Sequence, residues 1–315
     1  SKETTTDTPA ASTDTAEPAK TEETAATEET AAEEPASEEG KVFNIYAWNE
    51  EFKGFFEKYY TVPEGVTVNW IITPSADGAY QDKLDEALLN QENASTDDKV
   101  DLFLAEADYI QKYTESPVTQ DVTALGVTDF SSTYAYTVQA ASDASGVVKG
   151  VSFQCCPAAL IYRRSIAKAV WGTDDPAVIA EKIGAGSNSW DAFFAAAQEV
   201  KDAGYAMVSG KGDIWNVIKT AAPTGWVVDN TLNIDPMREQ YLDLAKTLKD
   251  NGFMNDTNQW QEAWFADMKA ESKVFGFYGP AWLINYTLGP NSGEGESSSA
   301  GDWAVTAPNV GFYWG

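Results

Sequence analysis

Short apolar runs alternate with amphipathic stretches along most of the chain. The runs are rich in β-branched and aromatic residues and are apolar on both faces, which is typical of parallel strands covered by helices. Five runs predict strands, at residues 42–48, 66–72, 100–105, 206–209 and 274–278.

Apolar residues at helical spacing predict helices between these strands. Residues 79–91 and 190–203 each carry an apolar stripe, and the second stretch stops at Gly204, a residue type that favours the turn after a helix. A third helix is predicted to begin at Asp235 and Pro236, a capping residue followed by proline at the first helical position. Alternating strands and helices indicate an α/β fold with parallel sheets.

The first 40 residues differ in composition from the rest of the chain. They contain 12 acidic and 2 basic residues and no Val, Ile, Leu, Met or aromatic residue. Such a segment buries too little apolar surface to offset the entropy lost on ordering, so residues 1–40 are predicted to be a disordered tether. A polar stalk of this kind is typical of a surface lipoprotein after its signal peptide and lipidated cysteine have been removed, and a cloning remnant is the alternative.

Two lobes are predicted after the tether, because the remaining residues, roughly 275, exceed what one hydrophobic core usually holds. The junction is placed at residues 150–162, a long apolar run that Pro157 interrupts. The predicted first lobe is 41–154 and the predicted second lobe is 155–273. Residues 274–315 are predicted to return to the first lobe and to make the last crossover.

Charge and residue types exclude several function classes. The formal net charge is −28, which disfavours nucleic acid and anionic membrane surfaces, because proteins bind both through Lys and Arg. The absence of histidine excludes serine and cysteine hydrolases that depend on it, and two cysteines alone cannot complete a zinc site. We therefore expect no metal and no cofactor. The chain also has 11 Trp, 14 Tyr and 14 Phe residues, which indicates a use beyond core filling.

Five segments resemble, in order, those of one protein family. They are VDLFLAEADYI (100–110), GVVKGVSFQCCPAALIYRR (146–164), WDAFFAAAQEVKDAG (190–204), FADMKAESKVFGFYGPAW (265–282) and DWAVTAP (302–308). Together they resemble the carbohydrate-type extracellular solute-binding proteins, the receptors of ABC sugar importers, a group that includes the maltose-binding proteins. The chain departs from the family where Ala281 separates Gly-Pro from Trp282, and where two cysteines replace the usual small or polar residues of the hinge.

This resemblance implies a type II periplasmic-binding-protein fold, with two α/β lobes joined by a hinge, each a mainly parallel sheet flanked by helices. The closing C-terminal helices of the family are missing from this sequence, which suggests truncation. The resemblance also implies a monomeric receptor, not an enzyme, that closes on a carbohydrate between its lobes and delivers it to ABC permease subunits. The expected location is the extracellular face of the bacterial cytoplasmic membrane, through a lipid anchor.

Sugar recognition needs flat aromatic side chains for the faces of the ring and planar polar side chains for its hydroxyls. Ligands of open α/β sheets bind beyond the carboxyl ends of the strands, and several such side chains stand there in this sequence. The predicted substrate-binding residues are Trp48, Asn49, Glu50, Glu106, Asp108, Gln154, Cys155, Cys156, Asp213, Trp215, Trp282 and Trp314. Core packing for the tryptophans and helix capping for the acids are the alternatives. Trp260 and Trp264 are expected to pack on one face of a helix.

The adjacent Cys155 and Cys156 allow two interpretations. Two reduced thiols would act as small hydrophobes. A vicinal disulfide would close a strained eight-membered ring, because Cα atoms about 3.8 Å apart across a trans peptide are closer than a disulfide usually allows. Such a ring would offer a rigid apolar face to a sugar.

Two other functions remain open from the sequence alone. A glycoside hydrolase that uses two carboxylates needs no histidine, and Glu50, Glu106, Asp108 or Asp213 could supply the pair. A surface adhesin for glycans would bind without lobe closure. For a binding protein, the aromatic residues favour a neutral mono- or oligosaccharide, and the acidic charge disfavours uronates and phosphates.

Overall fold

The computed structural model describes residues 40–295 and 298–314. These residues belong to two compact units, the first ending at Leu102 and the second beginning at Phe103. Residues 1–39 of the predicted tether lie outside the described part. The predicted lobe limits at 154 and 273 differ from the limits of these units, and the assignment of lobes stays a prediction.

The first unit is built on a pair of parallel strands. β1 (Val42–Ala47) pairs with β2 (Thr67–Ile72), as the two apolar runs predicted. The third strand of the sheet, β3 (Leu102–Phe103), is much shorter than the predicted run at 100–105. At the start of that run, the side-chain amide of Gln91 bonds to both the N–H and the C=O of Val100 and takes the place of a strand partner.

Two helices complete the first unit. α1 (Glu51–Tyr59) packs Phe52 and Phe56 edge-on against the ring of Trp70, with centroids 6.2 and 5.4 Å from it. α2 (Ala79–Leu89) confirms the helix predicted at 79–91, and its buried residues are Tyr80 and Leu84. Aromatic and aliphatic side chains of both helices therefore contribute to the packing of this unit.

A four-stranded mixed sheet forms the centre of the second unit, in the order β5-β8-β4-β9. β5 is parallel to β8, but β4 is antiparallel to both of its neighbours. The prediction of a mainly parallel sheet therefore needs correction for this unit. An apolar run has the same composition in a buried parallel or antiparallel strand, so the pattern did not determine direction. The strands are β4 (Ala158–Arg163), β5 (Ala206–Val208), β8 (Val274–Pro280) and β9 (Trp303–Thr306), with an outlying pair β6 (Val227–Val228) and β7 (Thr231–Leu232).

Both faces of this sheet are covered, and strand β4 shows how. Leu160 and Tyr162 face one hydrophobic cluster, whereas Ile161 faces another that contains Trp264 and Phe277. All five side chains are fully buried. The alternation follows from the two-residue period of a strand, and it explains why the run at 150–162 is apolar throughout its second half.

The helices of the second unit follow the caps that the sequence indicated. The carboxylate of Asp235 accepts a hydrogen bond from Met237 N at 2.9 Å, and Gly204 has the positive φ of 89° expected after a helix. The helices predicted at 190–203 and from Asp235 are thereby confirmed. In chain order they are α3 (Ile110–Thr114), α4 (Ala135–Ala140), α5 (Arg164–Trp171), α6 (Pro176–Ile183), α7 (Asp191–Asp202), α8 (Lys211–Ala221), α9 (Pro236–Asp250), α10 (Glu262–Ala266), α11 (Ala281–Leu283) and α12 (Gly289–Asn291), with a π-helix at Ile284–Leu288.

Within the described part of the chain, no helix is both long and apolar enough to cross a bilayer.

Candidate functional site

Three of the predicted site residues follow strand β1 in the first unit. The ring of Trp48 lies edge-on against Tyr80, with centroids 5.6 Å apart, and remains partly exposed. The side-chain oxygen of Asn49 accepts a hydrogen bond from Glu51 N at 3.0 Å, so it helps to start helix α1. Glu50 is exposed and lies 3.8 Å from the ammonium of Lys53. These residues stand at the carboxyl end of a strand, as predicted, and their role in binding stays a prediction.

A tryptophan cluster lies in the second unit. We call Trp260, Trp282 and Trp314 the tryptophan wall. The rings of Trp260 and Trp282 are nearly parallel, at 14° and with centroids 6.2 Å apart, and the ring of Trp314 lies 4.9 Å from that of Trp282. Trp282 Nε1 also donates a hydrogen bond to the backbone oxygen of Trp314 at 2.9 Å. Trp260 is 47% exposed and the other two rings are half-buried, so the wall offers flat aromatic surface to solvent.

Sequence reasoning did not include Trp260 in the candidate site. It was expected to share a helix face with Trp264, but it lies in the turn before α10 and has a φ of 65°. A bulky residue rarely adopts this left-handed conformation. Trp260 therefore lies outside the helix, although its ring still contacts Trp264 and Phe265 of α10, with centroids 5.3 and 6.4 Å away. No simple sequence signal marks such a turn, because the signal is usually glycine or asparagine.

Asp213 supports the tryptophan wall from the interior. Its carboxylate accepts hydrogen bonds from Gly210 N at 2.9 Å, from Gln259 Nε2 at 3.3 Å and from Trp264 Nε1 at 3.3 Å. Gln259 precedes Trp260 in the chain, and the ring of Trp264 lies 5.3 Å from that of Trp260. Asp213 has no exposed surface in this structure, so it holds these groups in place here, and direct contact with a ligand stays a prediction.

Burial also perturbs the acidity of this carboxyl. Removal from water raises the pKa of Asp213 to about 6. The three hydrogen bonds favour the ionised form and lower this pKa, but their effect is smaller. Asp267 adds a smaller upward effect on the same pKa. The protonation state of a group behind the wall therefore changes in a mildly acidic range.

A tyrosine ladder adjoins the two cysteines. We use this name for Tyr134, Tyr136 and Tyr313, whose neighbouring ring centroids are 6.1 and 5.2 Å apart. The hydroxyl of Tyr136 accepts a hydrogen bond from Cys156 N at 3.3 Å, and Trp314 N donates to Cys156 O at 3.1 Å. The backbone of Cys156 thus joins the tyrosine ladder to the tryptophan wall.

An open cavity of about 200 Å³ borders this junction. Typical ligand pockets have volumes of ~300–1,000 Å³, so this smaller cavity would hold only part of a ligand. Hydroxyl, amide, thiol and aromatic groups line it together. The lining residues are Ser132, Thr133, Tyr134, Thr137, Ser152, Phe153, Gln154 and Cys155.

A separate acidic group lies on the loop after β3. Asp108 pairs with Lys219 of α8 at 2.7 Å. Burial raises the pKa of Glu106, Asp108 raises it further, and Lys219 opposes both. The hydroxyl of Tyr109 is buried in the same loop without a hydrogen-bond partner, so a ligand that reached it would satisfy a group that is costly to leave unpaired.

Trp215 belongs to a different surface of α8. Its ring packs against Tyr241 at 4.8 Å and lies 6.5 Å from Trp226, which contacts the guanidinium of Arg238. The structure therefore brings the predicted residues Gln154, Cys155, Cys156, Trp282 and Trp314 together. Within the described part of the chain, Trp215, Glu106 and Asp108 instead make their contacts with Tyr241, Trp226 and Lys219.

The described residues contain no group of three or more Cys, Asp or Glu side chains arranged to hold a metal ion.

A family profile described as bacterial extracellular solute-binding protein matches residues 55–315. The chain belongs to this family. Its members are binding proteins, and the family name places them outside the cytoplasm. No curated protein matches the sequence significantly.

Solved structures show the same fold at low identity. One is an extracellular solute-binding protein of family 1, with a TM-score of 0.70 and 17% identity over 87% of this chain and 68% of that one. A second is the galacto-N-biose-/lacto-N-biose I-binding protein of an ABC transporter from Bifidobacterium longum, with a TM-score of 0.64 and 16% identity over 88% of this chain and 71% of that one. A third is the sugar-binding protein MalE from Xanthomonas citri, with a TM-score of 0.61 and 13% identity over 87% of this chain and 69% of that one. The type II periplasmic-binding-protein fold is therefore confirmed.

Proposed function

We propose that this solute-binding protein binds a neutral mono- or oligosaccharide and delivers it to an ABC-type importer. The main support for this proposal is the tryptophan wall. Trp260, Trp282 and Trp314 present aromatic faces beside a cavity edge that holds an amide and hydroxyls, and a sugar needs both kinds of group.

The relatives support this substrate class. Two structures with this fold are those of sugar-binding proteins, namely the lacto-N-biose-binding protein and MalE. Identities of 13–17% show a shared fold, and the particular sugar depends on the residues of this chain. The net charge of −28 and the acids near the candidate residues favour a neutral ligand over a uronate or a phosphate.

The role in import and the location follow from the family. The solute is extracellular, so the protein would present it to permease subunits in the membrane after hinge closure. The predicted acidic tether at residues 1–40 would hold the domain away from an anionic surface, and a lipid anchor before it would retain the protein at the membrane. We propose a monomer.

Glycoside hydrolysis is the second candidate, and one observation favours it. Glu106 and Asp108 share a loop, the pKa of Glu106 is raised by burial, and Asp108 is paired with Lys219. Two carboxyls in unlike environments are the usual arrangement of a glycosidase acid and its partner.

One experiment separates the two functions. The protein is incubated with glucose, galactose, maltose, lacto-N-biose and longer malto-oligosaccharides, and its unfolding temperature and the sugar products are measured. A binding protein raises its unfolding temperature with at least one sugar and releases no product. Hydrolysis that is lost in Glu106→Gln would overturn the proposal in favour of the enzyme.

A further inference from the structure

The two cysteines form the feature that the binding proposal leaves unexplained. Neither cysteine is in a disulfide in this structure, and Cys155 is exposed whereas Cys156 is buried. Cys155 lines the cavity beside Gln154, and Cys156 Sγ lies 3.9 Å from the side-chain oxygen of Gln154. An exposed thiol thus adjoins a buried thiol in the chain.

The backbone of Cys156 forms hydrogen bonds with both the tyrosine ladder and the tryptophan wall. Cys156 N donates to the hydroxyl of Tyr136 in the tyrosine ladder. Cys156 O accepts from Trp314 N, and Trp314 O accepts from Trp282 Nε1 in the tryptophan wall. The peptide between the two cysteines therefore makes the hydrogen bond to the tyrosine ladder, and the next peptide makes the one to the tryptophan wall.

We propose that Cys155 and Cys156 form a reversible vicinal disulfide whose formation weakens sugar binding at the tryptophan wall. The second half of this inference rests on the proposed function. Adjacent cysteines can close the ring only if the peptide between them distorts, because their Cα atoms are too close for an ordinary disulfide. The distortion displaces Cys156 N from Tyr136 and alters the wall of the cavity.

The chemistry requires a disulfide oxidant, and oxidised glutathione is the class we invoke. The exposed Cys155 thiolate attacks one sulfur of the oxidant, forms a mixed disulfide and expels one glutathione thiolate. The Cys156 thiolate then attacks the Cys155 sulfur, closes the ring and expels the second glutathione. Two protein thiols and one glutathione disulfide thus become one ring and two glutathione thiols. A strained ring of this kind is readily reduced, so the step reverses with a dithiol such as dithiothreitol.

The first test needs no sugar. The full chain is treated with oxidised glutathione, and its intact mass and its thiols after denaturation are measured. We expect both thiols to disappear with the loss of two hydrogens and no adduct, and dithiothreitol to restore them. The variant Cys156→Ser should instead retain a glutathione adduct on Cys155, which shows that this thiol is accessible. Two thiols that stay reactive, a stable adduct on the unaltered chain, or a disulfide-linked dimer would each overturn the ring.

The second test measures the effect on binding. A sugar that binds the reduced protein in the panel above is titrated into reduced and oxidised protein. We expect oxidation to weaken binding about two- to tenfold, the range set by the loss of one hydrogen bond, and dithiothreitol to reverse it. Oxidant should not alter the affinity of the double variant Cys155→Ser/Cys156→Ser. Equal sugar affinities of the reduced and oxidised unaltered protein would contradict the effect of the disulfide on binding. If no sugar of the panel binds, the proposed function is contradicted, and the first test alone then decides whether the vicinal disulfide forms.

Discussion

Contacts with neighbouring residues, and not its own conformational preference, determine the backbone conformation of Trp260. Its φ of 65° is unfavourable for a bulky residue, and such conformations persist where the surrounding structure determines them. Here Gln259 is bound to the carboxylate of Asp213, and the ring of Trp264 supports that of Trp260. The most exposed ring of the tryptophan wall therefore depends on a buried acid.

The pKa of Asp213 predicts a specific pH dependence. Its value of about 6 in the folded protein exceeds the ordinary 3.8, so the folded state binds this proton more tightly than the unfolded state does. The stabilisation is complete below about pH 4 and is lost as the pH rises through 6. It amounts to roughly 3 kcal/mol at most, since one pKa unit corresponds to about 1.4 kcal/mol.

The variant Asp213→Asn has no proton to lose and isolates this effect. Urea unfolding of both proteins at several values between about pH 4 and pH 7 is the measurement. We expect the unaltered protein to lose stability relative to the variant as the pH rises across this range. A difference in unfolding free energy that stays constant would contradict the raised pKa of Asp213.

Sequence reasoning located part of the candidate site. Trp282, Trp314 and the two cysteines were predicted from strand ends and from the family resemblance, and the structure joins them through Cys156 O and Trp282 Nε1. Trp260 was missed because its position depends on a turn without glycine. Asp213 was predicted beside the ligand, but full burial is a property of packing that no local pattern reveals.

At the scale of elements, helix α1 contains a glycine, a residue type that lowers the stability of a helix. Gly54 lies on an exposed face of this helix, and a Cβ atom there would meet no atom within 4 Å. We expect Gly54→Ala to stabilise the protein by about 0.5–1 kcal/mol, because alanine loses less backbone entropy on helix formation. The unfolding free energy in urea is the measurement.

Strand β8 supplies the matched control. A Cβ atom on Gly276 would lie 2.9 Å from Leu160 Cδ1 and 3.2 Å from Ile161 O, so the same change must displace the core of the mixed sheet. Gly276→Ala should therefore destabilise the protein. Equal effects of the two changes would show that the packing around β4 and β8 is looser than described.

The elements differed in how well the sequence predicted them. Helices with a defined start were predicted well, since Asp235 caps α9 through a local hydrogen bond from Met237 N. The direction of β4 and the length of β3 were not, because both depend on partners remote in sequence. Gln91 shortens β3 by bonding to Val100, and no pattern within residues 100–105 contains that information.

At the scale of the whole molecule, the charge of −28 predicts how binding responds to salt. A neutral sugar transfers no charge, so its Kd should change by less than about twofold between about 0.05 and 0.5 M NaCl. A uronic acid should bind weakly at low salt and more tightly as salt screens the repulsion. Isothermal titration at several salt concentrations is the measurement. A neutral sugar whose affinity falls steeply with salt would indicate that charged groups dominate recognition.

The central claim is that the tryptophan wall binds a sugar, and calorimetric titration of the sugar panel into four proteins tests it most directly. The unaltered protein should bind at least one neutral sugar saturably, and Trp282→Ala should weaken that binding about 30-fold, which corresponds to about 2 kcal/mol for a buried aromatic anchor. Trp282→Phe should retain part of the affinity, and Tyr59→Ala, an exposed aromatic on α1, should retain all of it. No binding of any sugar by the unaltered protein, or full affinity in Trp282→Ala, would contradict the account.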